Sequence, residues 1–171
     1  MRELRTHRLL LRPFAREDLP ALARIAAEEE TRGFMCDGGR EAAAVEAAIE
    51  RWLRGYREGL GQLAMILCED GRLIGHCGLE RREGRVVLSY ALHKDHWCKG
   101  LAPEACREVL RYGFEELGIE EVWTATRPEN RAWRGMMERL GMGLREEGSG
   151  EVRYAVSRGD FLRRRAAVGA R

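Results

Sequence analysis

A run of β-formers from Arg85 to His93 ends in a short loop, and the loop opens into a stretch whose apolar residues, Cys106, Val109, Leu110, Gly113, Phe114 and Leu117, recur at helical spacing. Gly118 stops that stretch, and Val122 to Thr126 reads as the next strand. Strand, helix and strand in this order form a β-α-β unit, which crosses over right-handed and lays its two strands parallel. The rest of the chain must therefore build a sheet that accommodates one parallel pair.

The other segments favour antiparallel pairing. Leu9 to Pro13 reads as a first strand, and Asp18 followed by Pro20 reads as a helix start, with the carboxylate capping and the proline in the first turn. Val45, Ala48, Ile49, Trp52, Leu53 and Tyr56 predict an amphipathic helix over Arg40 to Gly59. Gln62 to Cys68, Leu73 to Glu80 and Arg85 to His93 are joined by turns rich in charge and glycine, as in an antiparallel meander. Arg131 to Leu140 reads as a helix stopped by Gly141. Gly143 to Glu147 and Glu151 to Val156 form a closing hairpin about Gly148-Ser149-Gly150. The expected fold is α/β (α+β mixed): a central mixed, mostly antiparallel sheet of about seven strands with helices on both faces. With 171 residues and no internal repeat, residues 1–171 are expected to form a single domain, long enough to bury about 70% of its unfolded surface.

The loop between the parallel strands carries the strongest chemical signal. At a helix start the first backbone N–H groups have no intrahelical partner and sit at the positive end of the macrodipole. Lys99, Gly100, Leu101 and Ala102 can thus turn donors toward a phosphate or pyrophosphate, and Gly100 lets the backbone come close.

Trp97, Lys99, Gly100, Leu101, Ala102, Glu104 and Ala105, followed by Pro128, Asn130, Ala132, Leu140 and Gly141, resemble the GNAT family of acyl-CoA-dependent N-acetyltransferases. The likeness is closest to the branch of the ribosomal-protein alanine acetyltransferases. In that family a loop of the form Trp-Gly-Lys-Gly-Tyr/Leu-Ala-Thr-Glu-Ala precedes a Pro-x-Asn-x-x-Ser segment whose helix ends in Leu-Gly-Phe. Thr6 to Asp18 looks like the family's first strand and its entry into helix 1, so the resemblance spans nearly the whole chain.

The resemblance implies that the parallel strands splay and that the pantetheine arm of acetyl-CoA pairs with the opened edge at Tyr90, Ala91 and Leu92. Trp97, Cys98, Lys99, Gly100, Leu101 and Ala102 would take the pyrophosphate, and Asn130 and Trp133 would complete the cofactor site. Simpler readings stand beside these. Asn130 suits a helix N-cap, Trp97 a core anchor of the loop, and Lys99 a solvated side chain whose backbone alone matters. Acceptor lining would come from Phe34, Met35, Trp52, Tyr56 and Tyr154, each also suited to a core.

Three departures affect the chemistry. Cys98 replaces the usual small residue before the lysine, the serine of the Asn-x-x-Ser segment is Trp133, and the tyrosine placed by other branches before Leu-Gly-Phe aligns with Met137. With no acid, releasing a thiolate from a thiol of pKa about 8.5 at pH 7 costs ~2 kcal/mol, which permits turnover. Deprotonating a lysine-like amine costs ~4.6 kcal/mol and an α-amine only ~1 kcal/mol, so a low-pKa amine suits the chain better. The carboxylate that relatives carry on the strand of Tyr90 aligns with Val87, which leaves Glu80 as the candidate base, acting directly or through a water held by Ser89. The plain reading of Glu80 is a solvated strand-end residue, and that of His76, on the same strand face, a half-buried structural histidine.

With 30 basic and 28 acidic side chains the net charge is +2, which gives no reason to expect a nucleic-acid partner. No apolar run approaches the ~18 residues of a membrane span, and the start lacks a signal-peptide core, so a cytoplasmic protein is expected, monomer or homodimer. Arg163-Arg164-Arg165 reads as a solvated end. Five cysteines without Cys-x-x-Cys spacing indicate neither disulfides nor zinc, and no metal is expected at His93, His96, Cys98 and Cys106; Cys68 and Cys77 read as small buried hydrophobes. The expected function is acetyl transfer from acetyl-CoA to a primary amine, on a protein N-terminus or a small molecule, by direct attack in a ternary complex. The alternative is a CoA-binding sensor or interaction protein that kept the loop and lost catalysis.

Overall fold

The computed structural model describes residues 1–27, 42–148 and 150–169. Eight strands form one sheet in the order β1-β2-β3-β4-β5-β6-β8-β7. They are β1 (Leu4–Arg5), β2 (Leu9–Pro13), β3 (Gly61–Leu67), β4 (Leu73–Arg82), β5 (Arg85–Leu92), β6 (Glu121–Thr126), β7 (Gly143–Gly148) and β8 (Glu151–Ser157). The expected seven become eight because β1 is two residues long, too short for an alternation to register; Leu4 lies opposite Leu11 and Arg5 opposite Leu10. β5 and β6 pair in parallel at Val87 and Trp123, as the β-α-β unit requires. By contacts the chain falls into two units, Met1–Glu80 with Ser89–Val109, and Arg81–Leu88 with Leu110–Arg171.

In the first unit, side chains along β3 alternate between the two faces of the sheet, and the register against β4 shifts between Met65 and Ile66. Leu63 and Met65 lie opposite Cys77 and Gly75 of β4. This face meets α3 (Leu101–Arg111), where Cys77 Sγ comes within 3.7 Å of Cys106 Sγ. The opposite face carries Ala64 and Ile66, which share a core with Phe14, Leu22, Ile49 and Trp52 from the β2–α1 segment and from α1 (Leu19–Ala27) and α2 (Ala42–Gly55). Asp18 does not cap α1 as expected. It ends a 3-10 turn, Arg16–Asp18, where its carboxylate accepts from the Ala15 N–H at 2.8 Å and from Arg12 at 2.7 and 2.8 Å. Burial pulls its pKa upward, but the Arg12 and Ala15 bonds outweigh it and leave the carboxyl below its ordinary value. Cys68, expected in a buried strand, lies just past the end of β3 and is exposed.

In the second unit the helical stripe does not stay α-helical to Gly118; residues Tyr112–Glu116 form a π-turn, and Gly118 follows with φ +67°. α4 (Arg131–Arg139) buries Trp133, Met136 and Met137. The arginine-rich end is not an extended tail. It lies on α5 (Arg158–Gly169), which begins where Ser157 Oγ accepts from the Asp160 N–H at 3.1 Å and the Ser157 hydroxyl donates to Asp160 Oδ2 at 2.7 Å. Phe161 stacks at 5.0 Å on Phe114, while Arg163, Arg164 and Arg165 are exposed, as expected of them. No helix among the described residues is long and apolar enough to cross a membrane.

One close approach organises the first unit. Gly78 lies opposite Gln62, and a Cβ at Gly78 would stand 2.1 Å from the Gly61 carbonyl oxygen and 2.6 Å from Gln62 Cα. Gly78→Ala must therefore push β3 and β4 apart. Urea unfolding should show a loss of about 1–3 kcal/mol; wild-type stability for this variant would mean that the two strands do not need this spacing.

Candidate active site

β5 delivers the loop. The His93 N–H donates to the Ile74 carbonyl of β4 at 2.8 Å, so along this strand the backbone groups of residues 93, 91 and 89 face β4. Consistent with that, a Cβ on Gly75 would meet the Ala91 carbonyl at 2.1 Å. The N–H and C=O groups of Tyr90 and Leu92 then point the other way. The Leu92 carbonyl is already taken by the Trp97 indole N–H at 2.7 Å, so Trp97 anchors the loop to the strand that precedes it. A 3-10 turn, Lys94–His96, separates the two, with the Asp95 N–H donating to His93 Nδ1 at 3.3 Å. Cys98, with φ +57°, and Gly100, with φ +75°, flank Lys99. A β-carbon in the left-handed region costs of order 1–2 kcal/mol, so the loop holds Cys98 in a conformation that glycine would adopt more easily.

α3 starts immediately after. Its ladder opens with the Glu104 N–H donating to the Gly100 carbonyl at 3.3 Å, so the N–H groups of Leu101 and Ala102 precede the ladder, and Pro103 contributes none. A Cβ at Gly100 would face Arg8 Nη2 at 3.4 Å, so a larger residue there meets Arg8 first. Arg8 and Glu104 form a dense bracket under the loop. Glu104 Oε1 accepts from the Thr6 hydroxyl at 2.6 Å and the Arg8 N–H at 2.8 Å, while Oε2 accepts from Arg8 Nε at 2.8 Å and Nη2 at 2.7 Å. Arg8 Nη1 donates to the Lys99 carbonyl at 2.8 Å. Partial burial works to raise the Glu104 pKa, but the bonds from Thr6 and Arg8 prevail and lower it.

Three residues back along β5 lies a buried polar cluster in the same unit. On β4, His76, Gly78 and Glu80 share one face, and the side chain of Gln62 joins the two outer ones. Gln62 Nε2 donates to Glu80 Oε1 at 2.8 Å and to Ser89 Oγ at 2.8 Å, and Gln62 Oε1 is 3.0 Å from His76 Nδ1. A carboxylate only accepts, so the amide NH2 must face Glu80 and its oxygen must face the histidine. His76 therefore carries a proton on Nδ1. Arg51 of α2 reaches Glu80 Oε2 at 3.3 Å. Glu80 is 7% exposed, Ser89 4%, His76 4% and Gln62 0%. Glu80 and Ser89 were readable from the sequence, although Glu80 is buried where a solvated strand end was the plain expectation. His76 is buried rather than half-buried, against the Trp52 ring at 5.1 Å. The Trp52 indole N–H is itself buried and meets no acceptor among the described residues. The Tyr56 hydroxyl donates to the Gln62 carbonyl and accepts from the Phe14 N–H at 3.0 Å; burial pushes its pKa up to about 12.

The remaining candidates lie elsewhere or are engaged. In the second unit Asn130 is the N-cap of α4, its Oδ1 accepting from the Trp133 N–H at 3.2 Å. Tyr154 is 1% exposed; its hydroxyl accepts from Arg134 Nε at 3.0 Å and donates to Glu138 Oε1 at 3.3 Å. Phe34 and Met35 lie outside the described residues. Tyr90 has its phenol pushed up by burial, with further contributions from Cys106 and Cys77. Among the described residues no cluster of three His, Cys, Asp or Glu side chains could hold a metal ion. Gln62 and Arg8 escaped the sequence reading, since each acts through partners far along the chain.

A strand-loop-helix with a left-handed glycine thus stands in the same unit as a buried carboxylate on the neighbouring strand, β4. The family model described as "Acetyltransferase (GNAT) domain" matches residues 8–143, and the chain belongs to that family. It is 28% identical over 138 residues, 76% of this chain and 76% of the other, to a protein of Bacillus licheniformis named "Uncharacterized N-acetyltransferase p20". It is 34% identical over 97 residues, 48% of this chain and 40% of the other, to "FsC-acetyl coenzyme A-N(2)-transacetylase" of Aspergillus fumigatus. The crystal structure of an acetyltransferase from Agrobacterium tumefaciens superposes with a TM-score of 0.81 at 27% identity, covering 91% of this chain and 94% of that one.

The Glu104 bracket gives the first unit an acid-sensitive joint. A depressed carboxyl pKa contributes stability that is fully present above the unfolded value, about 4.3, and is lost as pH falls through the lower folded value. Melting curves of Glu104→Gln should lie below wild type at pH 7, and the gap should close as pH drops below about 4. A gap that stays constant with pH would mean that the carboxylate's charge is not what the bracket uses.

Proposed function

We propose that this protein transfers an acetyl group from acetyl-CoA to a primary amine by direct attack in a ternary complex, acting as one domain over residues 1–171. The observation that carries the reading is the buried Glu80 carboxylate, held by Gln62 beside Ser89 on the strand that leads into the loop. Acetyl-CoA supplies the thioester whose carbonyl the amine attacks. The loop fits its pyrophosphate: the N–H groups of Leu101 and Ala102 precede the helical ladder, and Gly100 keeps the left-handed turn open. Trp97, Cys98 and Lys99 shape that turn, while Tyr90 and Leu92 present backbone groups on the edge away from β4, where the pantetheine arm and the developing oxyanion need donors. Ala91 supports this edge from within, its own carbonyl turned to β4. Asn130 and Trp133 stand at the start of α4 in the second unit.

On the amine side, Glu80 accepts the proton directly or through a water held by Ser89, whose Oγ accepts from Gln62 and so keeps its own hydrogen to give. Trp133 and Met137, at the positions of the family's acids, are 4% and 0% exposed and carry no acid, which favours an acceptor that needs little help to lose its proton. Protein N-termini and small α-amines meet that condition, and the protein works in the cytoplasm, where acetyl-CoA and such amines meet.

Three measurements test the reading. Gly100→Glu forces a side chain against Arg8 in a strained backbone; it should abolish the thermal stabilisation given by CoA in a protein that still folds. Retained CoA binding by that variant would sink the cosubstrate assignment. Glu80→Gln should lower kcat/KM by roughly 10²-fold with CoA affinity nearly unchanged. Near-full activity of this variant, with a rate that climbs to the acceptor's own pKa, would remove Glu80 as base. CoA binding with no amine-dependent thiol release across a broad amine library would instead establish a sensor.

A further inference from the structure

We infer that Arg8 is a positioning residue for the pyrophosphate of CoA, acting through the peptide between Lys99 and Gly100. The inference rests on the reading just given and adds a residue to it. A trans peptide is planar, with its C=O and N–H directed oppositely. Arg8 Nη1 holds the Lys99 carbonyl at 2.8 Å, so the Gly100 N–H of the same peptide points away from Arg8, on the side opposite the bracket. Left-handed residues stand on either side of Lys99, Cys98 at φ +57° and Gly100 at φ +75°, and the orientation of the peptide is fixed by this bond from the Arg8 side chain. Arg8 does a second thing. Glu104 stands in the first turn of α3, where its charge would repel a phosphate, and Arg8 meets both its oxygens, from the backbone N–H at 2.8 Å and from Nε and Nη2 at 2.8 and 2.7 Å. The guanidinium fork spans carboxylate and carbonyl at once, which a lysine ammonium cannot reproduce.

Calorimetry with CoA and the amide NMR signal of Gly100 together test the assignment. In the unsubstituted protein, saturating CoA should move the Gly100 amide proton markedly downfield. Arg8→Ala should weaken CoA binding roughly ten- to a hundredfold, the scale of a lost charged hydrogen bond, and at saturation its Gly100 signal should no longer make that move. Arg8→Lys, which keeps the charge and protects the fold, should lose the Gly100 shift as well and bind between the two. An unchanged CoA affinity in both variants overturns the inference. So does weakened binding with the full Gly100 shift, since that would mark Arg8 as a support for the fold alone. Absence of any CoA binding by the unsubstituted protein would overturn the family's cosubstrate reading itself, a result distinguishable from the others because no variant is needed to see it.

Discussion

The carboxamide of Gln62 is the interaction on which the candidate active site depends. An ionised carboxylate inside a sheet face is costly to desolvate unless donors replace water, and leaving a buried polar group unmade costs roughly 1–3 kcal/mol. Gln62 meets this demand in one group: its NH2 serves Glu80 and Ser89, and its oxygen takes the His76 proton. The residue is fully buried, its orientation is dictated by its partners, and β3, β4 and β5 are tied at one level of the sheet. Removing it would take one hydrogen bond from each of three polar groups at once, so the cluster behaves as a unit rather than as separable contacts.

The loop is supported on the same plan, from outside rather than within. A helix start with a left-handed turn has no internal reason to keep its peptides aimed in one direction. Here the aim is imposed from the segment between β1 and β2, where Thr6 and Arg8 take both oxygens of Glu104 and Arg8 also takes the Lys99 carbonyl. β5 joins the two supports: Ser89 belongs to the buried cluster, and three residues later the Leu92 carbonyl is fixed by Trp97. A displacement of the strand would thus be felt at the carboxylate and at the loop together, which is how positioning can supply much of the catalysis.

Local pattern made part of this legible. β2 was readable to the residue because a run of three leucines, Leu9 to Leu11, is closed by Pro13, and the parallel pair followed from chain order alone. α5 was missed although its start carries a readable signal, Ser157 followed three residues later by Asp160, because the arginines after it suppress any apolar stripe. Glu80 and Ser89 could be nominated, but not their burial, which is a property of α2 packing on the sheet. Gln62 and Arg8 had no local signature. The first matters only because the sheet brings it beside His76 and Glu80 of β4 and Ser89 of β5, and the second only because its partner is 96 residues away in sequence. Cys68 failed for a related reason: β3 ends one residue earlier than its β-rich sequence suggests.

That Trp133 and Met137 carry no acid bears on which acceptors the proposed reaction can serve. Thiolate departure without protonation costs ~2 kcal/mol at pH 7, a burden shared by every acceptor. The cost of presenting a neutral amine is not shared: ~1 kcal/mol for an α-amine against ~4.6 kcal/mol for a lysine-like amine, a difference of ~3.6 kcal/mol or a few hundredfold in rate if nothing compensates. Compensation would have to come from a base, and the one carboxylate in the buried cluster already receives Gln62 and Arg51. To act on a high-pKa amine, Glu80 would have to take a proton while keeping those partners. From an α-amine the proton it takes is already weakly held, so the same partners impede it less. Under the proposed reaction, Trp133 and Met137 as buried apolar side chains, together with a carboxylate already engaged by Gln62 and Arg51, would make proton affinity the first basis on which amines are selected, ahead of shape.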